Sequence, residues 1–373
     1  MGNKYTVYKS DISYFSGKLE AYLRYKEIPH TLVDCDSKVM QMIAGKTGTA
    51  KMPAIEMDSG QWLCDTTPMM QWLEEKHPNP PIYPQDPALR FVALLIEDYG
   101  DEWLWRPAMW WRWVPKTSRT TLGRRIAASM VSKSLAIPLG AYVARRQLNE
   151  WLWKDGVDSN NSLDVRDMFF RELEFLEPLL QDQQFMLGSH PSAADFGYFG
   201  SMFRHFGNDP ISAEVMRREG PNTYEWLARM WNARHSKLNQ SIDWVWPEAD
   251  YWKPLLQRIA KDYLPYLHQN ALAFSQGKKR FDYRGDSLAF IGTVTTDYRV
   301  WCRQELQREF SQLNTEDQQR LEQLFTPAGG ISSLHQDGVI DSGLDQHFQL
   351  PVDPQSINHT PTLAQKLFGQ PRN

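Results

Sequence analysis

Lys51-Met52-Pro53-Ala54-Ile55-Glu56-Met57-Asp58-Ser59-Gly60-Gln61-Trp62-Leu63-Cys64-Asp65-Thr66-Thr67-Pro68 is the stretch on which the reading of this chain turns. Two short apolar runs, Ala54–Met57 and Trp62–Cys64, flank Asp58-Ser59-Gly60-Gln61, which supplies the turn chemistry of a β-hairpin. Pro53 stands at the first strand position directly after a loop, and a proline there is a candidate for a cis peptide. A cis bond would turn the backbone N–H and C=O of Met52 outward, where an extended, peptide-like ligand can pair with them. Asp65 and Thr66 then open a helix that runs to about Lys76, with one of the two as its cap and Pro68 in its first turn. The unpaired N–H groups and dipole at that helix start suit a ligand carboxylate.

Outward from this hairpin, residues 5–8 read as a strand. Phe15, Leu19, Tyr22 and Leu23 fall on one face of a helix that stops before Ile28-Pro29. Residues 30–33 are a second strand, parallel to the first if the helix is a right-handed crossover, and 39–43 are helical or irregular. Residues 1–76 thus form one β-α-β, loop-helix, β-β-α unit. Residues 77–87 hold prolines at 78, 80, 81, 84 and 87, a stiff linker. From 88 to 272 helix follows helix, with apolar three-to-four spacing over 88–105, 163–180, 193–206 and 223–233, an all-α domain. In residues 273–373 the pattern weakens: 288–294 is a short strand or buried turn, 298–325 is helical, and from 326 a Gly-, Pro-, Gln- and Ser-rich tail is either wrapped on the surface or loose.

The 373 residues are 42% hydrophobic and 23% charged, the balance of a folded, water-soluble protein. With 41 Lys and Arg against 45 Asp and Glu, the chain lacks the basic excess of a nucleic-acid binder. The N-terminus is not expected to be a secretory signal, and the weakly apolar residues 126–144 are broken by Lys133 and Pro138, so no membrane span is expected. Three scattered cysteines, Cys35, Cys64 and Cys302, fit a reducing compartment and hence a cytoplasmic location. The nine histidines show no metal-ligand spacing, so no metal site is expected, and dinucleotide, P-loop and nucleophile-elbow motifs are absent from the sequence. Five of the 15 tryptophans fall between 103 and 113, and residues 116–149 carry seven basic side chains and no acidic one. The basic run is a solvated insertion, or a patch that steers an anion or touches an acidic surface.

Taken together, these features resemble the glutathione S-transferase superfamily. The residues that carry the resemblance are Ser13-Tyr14-Phe15-Ser16 at the first strand-to-helix turn, Met52-Pro53, Asp58-Ser59-Gly60, Asp65-Thr66, the proline-rich linker, and Phe185-Met186-Leu187-Gly188 before Ser192-Ala193-Ala194-Asp195, which is similar to the capping box of the family's buried helix. The resemblance covers roughly residues 4–240. It implies a thioredoxin-like N-terminal domain, a helical bundle domain, and a C-terminal extension outside the family pattern. It also implies glutathione as co-substrate, with Met52 bonding the cysteinyl backbone, Pro53 cis, Thr66 and Asp65 holding the γ-glutamyl carboxylate and amine, and Lys51 near the glycyl carboxylate. Asp65-Thr66 stands where the family often has Glu-Ser. Ser13 is the thiolate stabiliser on this reading, with Tyr14 as the alternative. The tryptophan run, Trp103, Trp110 and Trp111 included, forms the pocket for a small-molecule electrophile, or else packs under the C-terminal segment or at a dimer contact. The resemblance further implies a homodimeric enzyme that carries out conjugation, dehalogenation, ether cleavage or isomerisation; the competing reading is a non-catalytic binding or scaffolding protein.

Overall fold

The computed structural model describes residues 5–129, 136–239, 241–346 and 348–354. Lys133, in the middle of the basic run, lies outside them. Tyr5–Lys9 (β1), His30–Asp34 (β2), Ala54–Met57 (β3) and Trp62–Cys64 (β4) form one sheet in the order β2-β1-β3-β4. β1 and β2 are parallel, while β3 is antiparallel to both β1 and β4, so Tyr14–Tyr25 (α1) is the crossover. Ser37–Thr47 (α2) fills the stretch expected to be helical or irregular, and Thr66–Lys76 (α3) follows the hairpin.

The helical part comprises Pro87–Glu102 (α4), Trp105–Trp113 (α5), Lys116–Ala128 (α6), Ala136–Gln147 (α7), Ser162–Asp182 (α8), Ala193–Ser201 (α9), Pro210–Glu219 (α10), Pro221–Asn232 (α11), Lys253–Arg258 (α12) and Leu264–Ser275 (α13). α9 is buried along its whole length, and its start is fixed as the capping-box spacing implied. Asp195 accepts from the Ser192 amide (3.0 Å), the Ser192 hydroxyl (2.8 Å), the Met186 amide (2.8 Å) and the Trp226 indole (3.2 Å). α4 crosses α9 so closely that a Cβ on Gly197 would lie 2.6 Å from Glu97 Cα, so only glycine fits there.

α1 is tied to α4 by charge. The Lys18 ammonium, fully buried, reaches Glu97 Oε1 at 2.6 Å and Asp101 Oδ2 at 2.5 Å. Burial works against the charge, but the two carboxylates outweigh it and raise the pKa of the lysine.

Beyond α13 the chain is more ordered than its sequence pattern implied. Arg280–Arg284 (β5) pairs antiparallel with Ala289–Val294 (β6). The β6 span was expected as a strand or turn, whereas β5 was missed because its apolar residues, Phe281 and Tyr283, are separated by single charges. The helix expected over 298–325 is two, Asp297–Ser311 (α14) and Thr315–Phe325 (α15), broken where Asn314 Oδ1 caps α15 by accepting from the Asp317 amide. Ser332–His335 (α16) follows. The chain then returns to the N-terminal sheet: Trp62 and Val352 exchange both backbone bonds, N to O 2.9 and 2.7 Å, covering the edge of β4.

One buried ionic cluster holds α14 against the bundle. Arg299 places two nitrogens on the Asp155 carboxylate at 3.1 and 3.0 Å, and Arg106 of α5 approaches the same carboxylate at 3.1 Å. Both guanidiniums also donate to the Tyr266 hydroxyl, at 2.6 and 2.7 Å, and Glu102 supplies the second negative charge, 3.7 Å from Arg299. Burial disfavours ionised Asp155, but the two arginines prevail and lower its pKa. Asp155→Ala is therefore expected to lower the unfolding free energy by about 3–5 kcal/mol, because it leaves two buried cations short of a partner. Urea titration followed by far-UV circular dichroism measures this, and a loss below about 1 kcal/mol would contradict the assignment.

Candidate functional site

A cavity of about 340 Å³ opens between the sheet domain and the helices. Its lining includes Ser13, Lys51, Met52, Pro53, Asp65 and Thr66 from the first and Trp105, Met109, Arg112, Trp113, Arg146 and Trp151 from the second. The structure thus brings together the residues that the sequence placed in three separate segments.

Ser13 is the N-cap of α1, its hydroxyl oxygen accepting from the Ser16 amide at 3.3 Å. Among the described residues, no protein group accepts the Ser13 hydroxyl proton, which leaves it for a ligand at the positive end of the helix. Tyr14 begins the helix but is buried, and its hydroxyl donates to the Gly100 carbonyl of α4. Its proton is committed to holding the domains together, which counts against the alternative placed on Tyr14. A Cβ on Gly200 would come within 2.8 Å of this ring, so α9 needs glycine to accommodate it.

The Met52–Pro53 bond is cis, and among the described residues Met52 has no protein partner for its backbone N–H or C=O. Asp65 sits at the N-cap of α3 with φ 67°, a left-handed value for a non-glycine residue, and its side chain does not cap the helix. That differs from the cap expected there: Oδ1 accepts instead from the hydroxyl of Tyr298, in α14, at 3.1 Å. Thr66, buried, contributes the first N–H of α3, one of the donors that a helix start leaves unsatisfied. Lys51 is exposed, its ammonium 5.9 Å from the centre of the Tyr298 ring.

Residues 7–81 match the family described as glutathione S-transferase, N-terminal domain. Over these residues the chain is similar to a glutathione S-transferase N-terminal domain. Followed by helices, this sheet domain gives the chain the small sheet domain and helical domain that the resemblance implied. Among solved structures, the chain is similar to a GST-like protein from Pseudomonas syringae, with 19% identity, a TM-score of 0.44, and coverage of 62% of this chain and 68% of that one. A beta-etherase from Sphingobium is 21% identical over 61% of this chain and 94% of its own, with a TM-score of 0.43. A glutathione S-transferase from Rhodospirillum rubrum is 13% identical, with a TM-score of 0.39 and coverage of 68% and 91%. No curated protein matches the chain.

Across the cavity from the sheet domain, the aromatic wall differs from the expected one. Trp103 is buried against Tyr263, Tyr266, Tyr283 and Phe290, with ring centres 5.5–6.3 Å apart, under the β5–β6 hairpin. Trp110 donates its indole N–H to Ser162 at 2.7 Å, and Trp111 donates to the Arg166 carbonyl at 3.1 Å, both on α8. None of these three lines the cavity, and the assignment of a substrate pocket to them is corrected. The wall is built instead by Trp105, Met109 and Trp113, with Trp151 at 6.0 Å from Trp105. Residues 105, 109, 112 and 113 share one face of α5, so the i, i+4, i+7, i+8 spacing within the tryptophan run carried the signal that separates these residues from Trp110 and Trp111.

Sequence reasoning also missed Arg112. Buried, it grips both Asp209 oxygens at 2.6 and 3.0 Å and donates to the carbonyls of Arg204 (2.6 Å) and Ile12 (2.7 Å). The last bond fixes the loop that presents Ser13 to the cavity. His205, beside it, is held well below the usual imidazole range by burial and by the Arg112 charge, and is neutral. Cys35 lines the same cavity, but burial pushes its thiol up to about 12, and burial does the same for Cys64, so neither is a thiolate nucleophile near neutrality. Among the described residues, no cluster of His, Cys, Asp and Glu is arranged to hold a metal, and no helix is long and apolar enough to cross a membrane.

Arg112→Lys keeps the charge but cannot serve four acceptors in the guanidinium plane. Amide hydrogen exchange at Ser13, Ser16 and Gly17 is expected to accelerate by about tenfold or more, read by mass spectrometry or NMR, because the Ile12 tether is lost. Unchanged protection would show that the loop holds itself.

Proposed function

We propose that this protein is a glutathione-dependent transferase that directs the thiolate of bound glutathione at a hydrophobic or aromatic electrophile. The observation that carries the reading is the convergence, in one cavity, of a hydroxyl at the start of α1 whose proton has no acceptor among the described residues, backbone groups at Met52 that have no partner among them, the Asp65–Thr66 helix start, and a facing wall of three tryptophans. Met52 would pair with the cysteinyl backbone, Thr66 would receive the γ-glutamyl carboxylate, and Asp65 its ammonium. Lys51 would lie near the glycyl carboxylate.

Ser13 is the group assigned to the sulfur. Its O–H donates to the thiolate, and the α1 dipole adds to that stabilisation, so a thiol with an ordinary pKa of about 8.5 ionises nearer neutrality. The thiolate forms a new C–S bond at the electrophilic carbon, and the displaced group leaves with the electron pair. Trp105, Met109, Trp113 and Trp151 offer large apolar faces suited to an aromatic co-substrate. Conjugation, dehalogenation, ether cleavage and isomerisation all begin from this thiolate. The absence of a reactive thiolate among the cavity's own residues favours an external thiol over exchange through the protein.

Calorimetric titration with glutathione is the first test: binding in the millimolar range or tighter is expected, and none at millimolar ligand would leave the scaffolding alternative. Given binding, Ser13→Ala is expected to raise the pKa of the bound thiol by about one unit, followed by thiolate absorbance in the ultraviolet. An unchanged value would remove Ser13 from the role. Trp105→Ala is expected to raise KM for an aromatic electrophile about tenfold while leaving the glutathione Kd within about twofold, because the ring belongs to the helical wall and not to the groups assigned to glutathione. Steady-state kinetics with the two substrates varied independently separates these effects.

A further inference from the structure

We propose that Tyr298 is a positioning residue for the γ-glutamyl end of glutathione, so that α14, far outside the N-terminal domain, completes the thiol site; this rests on the glutathione reading above.

Three observations lead there. Asp65 does not cap its own helix, and among the described residues the side-chain hydrogen bond it receives comes from the Tyr298 hydroxyl, at 3.1 Å from Oδ1. A carboxylate accepts at about four lone-pair positions, so one phenol on Oδ1 orients the group and leaves Oδ2 for a ligand ammonium. The Tyr298 ring centre is 5.9 Å from the Lys51 ammonium while its hydroxyl meets Asp65, and it lines the same cavity as Met52 and Thr66.

The tyrosine is itself held from behind. Trp301 and Phe348 pack against its ring, with centres 5.6 and 6.0 Å away, and the next residue in the chain is Arg299, locked onto Asp155. Thr296 caps α14 by accepting from the Arg299 amide at 3.4 Å, and Asn270 brackets Thr296 with bonds of 2.8 and 3.0 Å. Phenylalanine would serve this aromatic packing equally well. The hydroxyl is directed at the one carboxylate that the glutathione reading assigns to the ligand amine, and its value is in fixing that carboxylate before the ligand arrives.

The test compares two ligands: glutathione, and glutaryl-cysteinylglycine, which lacks only the γ-glutamyl amine. Tyr298→Phe keeps the ring and the fold. Calorimetry is expected to give a Kd for glutathione about tenfold weaker and a Kd for glutaryl-cysteinylglycine within about twofold of wild type. In an Asp65→Asn background, Tyr298→Phe is expected to change neither value, because the group it positions is gone. Wild-type binding of glutathione with an unchanged or tighter Kd in Tyr298→Phe overturns this proposal alone. Equal weakening for both ligands overturns it too, because that reports a general loosening of the cavity. No glutathione binding by wild type overturns it together with the reading on which it rests.

Discussion

The carboxylate of Asp155 is the fixed point on which two cavity-lining helices, α5 and α14, are hung. It binds Arg106, the immediate neighbour of Trp105 in α5, and Arg299, the immediate neighbour of Tyr298 in α14. Each arginine points inward to the anion while the residue beside it in the chain lines the cavity. Buried ion pairs add little net stability over apolar packing, since desolvation consumes most of the Coulomb gain. What this one supplies is geometry: a bidentate guanidinium–carboxylate pair tolerates little rotation, so two helices from distant parts of the chain keep a set distance.

The same logic recurs at the other side of the site. Lys18, clasped by Glu97 and Asp101, fixes α1 on α4, and Arg112, clasped by Asp209, fixes the loop before α1. Tyr14 adds a neutral tie to Gly100. The hydroxyl of Ser13 is therefore placed by buried polar and charged groups, whereas the aromatic wall opposite is shaped by packing. Charges set the Ser13 end of the cavity and apolar surface sets the other.

Much of this was legible in the sequence where local rules govern. The hairpin around Asp58-Ser59-Gly60, the cis proline at 53, the crossover helix and the capping box at Ser192 and Asp195 each depend on residues within a few positions of one another. What was not legible depends on long-range partners. Trp105, Trp110, Trp111 and Trp113 are alike in composition, and which of them meets the cavity follows from the side of α5 that α8 covers, a matter of tertiary packing. The Asp65 side chain read as a cap because nothing nearby in the chain competes for it; its partner is 233 residues away. β5 escaped notice because its alternation is short and heavily charged, and it becomes a strand by pairing with β6 over the buried Trp103.

That separation has a temporal side. A polypeptide leaves the ribosome from its N-terminus, and the sheet with its helix starts can fold while later helices are still being made. At that stage Met52, Thr66 and Asp65 are already in place, but Asp65 has no phenol beside it and β4 has an unpaired edge, because Tyr298 and Val352 have not yet been synthesised. Such an edge is open to pairing with other chains until the returning segment covers it. Translation thus delivers the sheet side of the cavity first and the α14 side last.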